Sequence, residues 1–237
     1  MDVSTISPSF TSLSLVHGLL EDMSADAFPT VLSAWSDESL ALQQNATHFG
    51  YVYDGKPIIE IACGAFHLAP GMYFSVPGEG VIRGPGRGIV VSRVDYNGFF
   101  HIGGPTEELG RLKYIDGCTD SLLIPPILLG DPCLNLLHFP PGVIQTQHTH
   151  PSVRVGLVTR GRGECETPVA TFPLIPGTAF VIPAGGIHGF RTNQSSMTVI
   201  AYHPDSDFGP THDVHPMINR TIVDGVSASQ LYNIKTK

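Results

Sequence analysis

The chain has 237 residues, of which 42% are hydrophobic and 14% charged, and a formal net charge of −8. That length fits one large domain or two small ones. The acidic balance, without any run of Lys or Arg, excludes an electrostatic nucleic-acid surface. The 26 glycines and 20 prolines suit many short strands joined by tight turns. The N-terminal stretch MDVSTISPSFTSLSLVHGLL has neither a basic leader nor an uninterrupted apolar core, so no signal peptide is expected. No stretch has the apolar length that a bilayer span needs, so no membrane partner is expected. Cys63, Cys118, Cys133 and Cys165 form no CxxC pair and are expected as free thiols in a reducing cytoplasm.

In chain order, the first expected element is a helix around Ala27–Gln44, with Pro29 in its first turn. Helical periodicity is nearly absent beyond it. Instead the chain matches itself without gaps at an offset of 156 − 50 = 106 residues. Gly50, Gly55 and Glu60 pair with Gly156, Gly161 and Glu166. Phe66, Leu68, Pro70, Gly71, Phe74, Pro77 and Gly80 pair with Phe172, Leu174, Pro176, Gly177, Phe180, Pro183 and Gly186, and Tyr96 with Tyr202. Short β-rich runs, MYFSV (72–76) and TAFVI (178–182), follow Pro-Gly turns that favour positive φ at the glycine. The expected organisation is all-β. A short helical segment covers 1–39, a first unit 40–100, a linker 101–130, a second unit 131–205 and a tail 206–237.

The chemistry lies in the second unit. His148 and His150 are two apart, a spacing that turns both imidazoles to one face of a strand. His188 follows a Pro-Gly-rich turn, and imidazole nitrogens are ordinary ligands of divalent first-row metals. Gly142 precedes His148 by five residues and Gly161 closes that stretch; Gly177, Pro183, Gly185, His188 and Asn193 make a second, with Asn193 one residue late. These stretches resemble the two cupin motifs, G(x)5HxH(x)3–4E(x)6G and G(x)5PxG(x)2H(x)3N. The resemblance covers most of the second unit. It implies two cupin-type antiparallel β-barrels, with one metal site in the second built from His148, His150 and His188.

One position departs from the pattern. Where the family places a metal-binding Glu, this chain has Arg154 and Val155. The site therefore resembles the family's three-histidine variants, which include dioxygenases of thiols and β-diketones. Arg154, if it faces inward, is expected to anchor an anionic substrate; the alternative is that it bends out to solvent or that Pro151 shifts the strand phase. In the first unit the equivalents of the three histidines are Leu42, Gln44 and Ile82, so that barrel is expected to be degenerate and structural. The leading expectation is an Fe(II)-dependent, dioxygenase-like oxidoreductase acting on a small anionic or enolisable molecule, with Zn, Mn, Ni or Cu as other metals. A metal-assisted isomerase or lyase, and a non-catalytic ligand-binding cupin, are the alternatives. A homodimer is compatible with this reading. His48 and His138 are expected to be structural, and the HDVH stretch at 212–215, with His203, to be a polar surface segment, a second metal site being the alternative. The glycine-rich EGVIRGPGRG near residue 83 reads as turn chemistry, since no helix follows it. No general base is evident.

Overall fold

The computed structural model describes residues 6–7, 9–212 and 215–234. The chain starts with β1 (Ile6–Ser7) and β2 (Phe10–Ser14). The first half continues with β3 (Gly18–Met23), β4 (Thr30–Ser36), β5 (Leu40–Leu42), β6 (Ala46–Gly55), β7 (Ile58–Ile61), β8 (Gly64–His67), β9 (Tyr73–Pro77), β10 (Gly80–Arg83), β11 (Gly86–Val94) and β12 (His101–Gly103). The second half holds β13 (Leu112–Lys113), β14 (Thr119–Ile124), β15 (Cys133–Phe139), β16 (Arg154–Gly161), β17 (Gly163–Glu166), β18 (Thr171–Leu174), β19 (Thr178–Ile182), β20 (Gly189–Arg191) and β21 (Met197–His203). A two-stranded ribbon, β22 (Ile222–Val223) and β23 (Val226–Ser227), lies in the tail.

Each half is a large antiparallel sheet facing a small one. The first pairs a six-stranded sheet, ordered β12-β9-β6-β11-β4-β3, with a four-stranded one, β5-β10-β7-β8. The second pairs an eight-stranded sheet, β1-β2-β19-β16-β21-β15-β14-β13, with a three-stranded one, β18-β17-β20. Inside the first half, Trp35, Phe74, Val76 and Val90 meet Leu42, Ile59 and Ile82. Inside the second, Phe10, Phe139, Phe180 and Val199 meet Cys165, Phe172 and Phe190. The outer faces of the two large sheets pack on each other through Leu32, Phe49, Ile89, Leu136, Val155, Leu157 and Tyr202. Strands at that junction are buried on both faces, so they carry near-continuous apolar runs in place of alternation.

The expected helix at Ala27–Gln44 is absent. Those residues form β4 and β5, and the helical turns among the described residues are three 3-10 turns at Ile115–Gly117, Ile218–Arg220 and Ala228–Gln230. The reason is burial. β4 pairs with both β11 and β3, and Thr30, Leu32, Ala34 and Trp35 are buried in it. Residues expected as an N-terminal segment supply strands to both large sheets, because β2 pairs with β19. The joining residues do likewise, through β12 on β9 and β14 on β15.

The repeat has a physical basis. Gly50 pairs across the sheet with Phe74, and Gly156 with Phe180. A Cβ at either glycine would lie 2.0 Å from the ring's Cζ, so each ring covers bare backbone of the neighbouring strand. Gly71 and Gly177 both take positive φ, 84° and 86°, and donate to Val52 and Val158 carbonyls at 2.9 Å. The four cysteines are free, three of them buried.

Gly50→Ala and Gly156→Ala should each lower stability by about 1–3 kcal/mol through overpacking, read as a lower urea midpoint. Adding Phe180→Leu to Gly156→Ala should cost less than the sum of the two single changes. Unchanged midpoints in the single variants would contradict the contact.

Candidate metal centre

The three histidines meet where two irregular segments run antiparallel. Pro151 has no backbone N–H, and no continuous strand runs from His148 to Arg154: β16 begins only at Arg154. The strand geometry expected for the HxH pair is therefore replaced by a narrow ladder. Gln145 donates its N–H to Phe190, His148 and His188 exchange both backbone bonds at 2.9 and 3.1 Å, and Gly185 donates to the His150 carbonyl at 2.8 Å. Gly185 has a φ of 72°, which allows the turn that returns the chain to His188.

This ladder places one ligand atom from each of His148, His150 and His188 within 4.8 Å of the others. His148 Nδ1 donates to the Thr146 carbonyl at 2.7 Å and His188 Nδ1 to the Gly186 carbonyl at 3.0 Å. A carbonyl only accepts, so both rings carry their proton on Nδ1 and keep Nε2 as a free lone pair. Burial, then the charge of Arg154 and the other two imidazoles, pushes His150 down to about 3. Burial likewise lowers His188 to about 4, against the opposing bond to Gly186. Both are neutral near pH 7, the form that ligates. The cluster could hold one metal ion, and its donor set fits a divalent first-row cation.

The cavity around the cluster measures about 50 Å³ and is also lined by Tyr114, Asp120, Asn135, Arg154, Phe180 and His203. A larger, open cleft of about 1180 Å³, along Gly142, Glu164 and Arg191, contains none of the three histidines. Arg154 faces inward because its neighbour Val155 is spent on the junction between the large sheets. Its side chain is 11% exposed and pairs with Asp205 at 3.3 Å through Nη1. Nη1 also donates to the carbonyl of Val153 at 3.0 Å, while the Ser152 hydroxyl donates to Asp205. The guanidinium therefore already has a carboxylate partner, supplied from 51 residues away. Its Nε is buried with no hydrogen-bond partner.

Residues 135–204, which contain all three histidines, match the family model for the cupin domain. The fold is a cupin fold. A putative glyoxylate-induced protein from Pseudomonas aeruginosa superposes with a TM-score of 0.65 at 12% identity, covering 89% of this chain and 93% of its own. A cupin 2 conserved barrel domain protein from Leptotrichia buccalis gives 0.56 at 13%, covering 86% and 92%. A salicylate 1,2-dioxygenase from Pseudaminobacter salicylatoxidans gives 0.57 at 10%, covering 84% and 71%. No curated protein matches in sequence.

The first half also sets a large sheet against a small one, around an apolar interior. Leu42 and Ile82, equivalents of His148 and His188, are buried in apolar core, and Gln44 is exposed. His48 uses both ring nitrogens, on Ser92 Oγ at 2.8 Å and the Gln43 carbonyl at 2.9 Å. His138 bonds Thr198 Oγ1 at 3.1 Å and does not line the cavity. His203, expected at the surface, instead reaches the cavity, with its ring 6.3 Å from that of His150. The signal was alternation: Val199, Ala201 and His203 share one face of β21. In the HDVH stretch, Asp213 lies outside the described residues.

The buried imidazoles set a pH dependence for the metal-free protein. His48, His138, His150, His188 and His203 are all lowered, burial being the first cause of each. Their unfolded value is about 6.5, so below that pH the unfolded chain binds protons that the folded chain refuses. Stability is therefore complete above pH 6.5 and falls as pH drops through the window between 6.5 and the values near 3–4. Each fully refused proton contributes a slope of about 1.4 kcal/mol per pH unit. Asp120, raised by burial to about 6, opposes one imidazole's share. Thermal melts of chelator-treated protein should show a lower Tm at pH 5 than at pH 7.5; a flat profile would contradict neutral burial.

Proposed function

We propose that this protein is a two-barrel cupin holding one divalent metal, Fe(II) first among candidates, on His148, His150 and His188 of the second barrel. Its activity is that of a dioxygenase-type oxidoreductase on a small anionic or enolisable molecule. The observation that carries this reading is the convergence of three imidazoles on a small cavity beside a guanidinium, in the half whose core is not closed by Leu42 and Ile82. When bound, the metal supplies Lewis acidity and, as Fe(II), a redox centre for O2, with open positions beside three protein ligands. Arg154 orients an anionic group through its unused Nε. Phe180 and Phe190 exclude water and confine the substrate. Room of about 50 Å³ suits a ligand of few heavy atoms, since one water needs roughly 10–15 Å³ on a comparable measure. Among structural neighbours, a mutant of salicylate 1,2-dioxygenase has been seen in complex with gentisate, and an 11S globulin from Wrightia tinctoria is described with an auxin-binding site. The second of these supports a ligand-binding cupin as the other reading.

Metal analysis of freshly purified protein should give one equivalent per chain, and two tightly held equivalents would contradict the assignment. His150→Ala removes one of three ligands and should release the metal to a chelator that leaves the parent loaded, while the fold persists. Full retention would sink the triad. A panel of small carboxylates and β-diketones in an oxygen electrode then decides the activity. Turnover in nitrogen-purged buffer would replace oxidation with isomerase or lyase chemistry, and tight binding without turnover would replace both.

Arg154→Met should leave metal content unchanged and weaken small carboxylates by about 1.5–3 kcal/mol, the scale of a hydrogen bond to a charged group. Asp205→Asn frees the guanidinium from its competitor and should tighten the same ligands. Equal affinities across parent and both variants, by calorimetric titration, would remove Arg154 from the site's chemistry.

A further inference from the structure

Asp120 stands on β14 with its Cα opposite Leu137 of β15, and Asn135 lies two residues from Leu137 on that strand. Residues paired across an antiparallel ladder share a face, and Asp120, Asn135 and Leu137 all line the histidine cavity. Asp120 Oδ1 is buried and meets no hydrogen-bond donor of the protein, and the same holds for Asn135 Oδ1. Among the described residues Asp120 makes no ion pair, unlike Asp205, which is held by Arg154 and Ser152. A buried carboxyl oxygen with no donor is costly to keep. At the wall of this cavity it is an acceptor open to a donor of a bound molecule.

We propose that Asp120 is the proton-transfer residue of this site, and that the substrate is a small enolisable carboxylate of the 2-oxo acid class. Its carboxylate lies towards Arg154 and its acidic C–H towards Asp120. The proposal rests on the three-histidine metal reading above. In the step, the C–H bond breaks and an O–H bond forms on Asp120 Oδ1. The C–H pair becomes the enolate C=C bond, and the carbonyl π pair moves to the carbonyl oxygen, whose negative charge develops beside the histidine cluster. Reversal returns the proton to carbon. No oxidant is consumed, so the step precedes either oxygenation or isomerisation.

Burial supports the role, raising the Asp120 carboxyl to about 6, so that it is ionised at neutral pH yet more basic than an exposed aspartate. The titratable groups that sense it are Tyr114, just after β13, and Cys133 on β15, with Arg154 acting on both from β16. Burial raises the first two, Cys133 to about 12, and both are neutral where Asp120 titrates.

The test uses the full chain loaded with Zn(II), which is redox-silent, in D2O under nitrogen, with pyruvate as probe and methyl-proton loss followed by NMR. The parent should exchange pyruvate protons well above a metal-only blank, at a rate that rises with pH as the Asp120 carboxyl ionises. Asp120→Asn should still take up Zn(II) and pyruvate, by calorimetry, and lose exchange by about 100-fold or more. Asp120→Glu keeps a carboxylate and should retain part of the rate and its rise with pH. It also serves if the Asn variant melts early. Exchange at the parental rate in Asp120→Asn overturns the assignment. So does a Zn(II)-loaded parent that fails to bind pyruvate or to exchange it. A parent that takes up no Zn(II) sinks instead the metal reading on which the proposal rests.

Discussion

The back-to-back packing of the two large sheets governs everything else in the molecule. Phe49 of β6 and Tyr202 of β21 meet there with ring centroids 5.2 Å apart, among Leu32, Ile89, Leu136 and Leu157. A strand at this junction has no face left for water, so its polar groups must sit at strand ends or be paired. Arg154 obeys that constraint. It is the first residue of β16, and Asp205 lies just past the end of β21, the strand beside it. Because Val155 is committed to the junction, the alternation of the strand turns Arg154 to the histidine side. The junction thus orients a residue that it does not touch.

The two halves then act as control and experiment within one chain. Both use a glycine under an aromatic ring, both turn at a positive-φ glycine after a proline, and both donate that glycine's N–H to the facing strand. They part at the positions of His148 and His188, where the first half has Leu42 and Ile82 in a closed apolar core. Apolar closure is the cheaper solution for a barrel interior, since neutral imidazoles give up hydration for few hydrogen bonds. Both Nδ1 atoms of His148 and His188 are satisfied by carbonyls two residues back. Nε2 is then the atom that each ring keeps for a ligand, and one ligand atom from each of the three histidines lies within 4.8 Å of the others. A cation there would offset the desolvation that the first half avoids.

What could be read from sequence was what is local. The repeat was visible because Gly50–Phe74 and Gly156–Phe180 impose residue type through steric contact, independent of the rest of the chain. The histidines were visible because two turns fix their spacing, although the strand invoked for His148 and His150 proved to be a broken ladder around Pro151. The segment at Ala27–Gln44 was misread because strand pairing to β11, some fifty residues onward, decides its conformation against local propensity. Asp120, Asn135, His203 and Asp205 were missed as site residues for one reason. Each enters the cavity region from a different strand or loop, and no short-range spacing links them to the HxH stretch.

Charge balance ties these late-found residues to the early ones. Near the cavity the formal side-chain charges are one positive, on Arg154, and two negative, on its partner Asp205 and on Asp120, with His150 and His188 held neutral by burial. Asp205 pairs with Arg154, while Asp120 makes no ion pair among the described residues, and burial raises its carboxyl against the opposing backbone bond of Ser121. A divalent cation on the histidines reverses the sign of the whole to a single positive charge. A monoanionic substrate then brings the cavity to neutrality, and a dianion overshoots it. Passing a proton from such a substrate to Asp120 leaves the total unchanged and only shifts negative charge from the carboxyl towards the cation. In a small cavity of low dielectric, a transfer that conserves net charge and moves it towards the cation is the one that the arrangement favours.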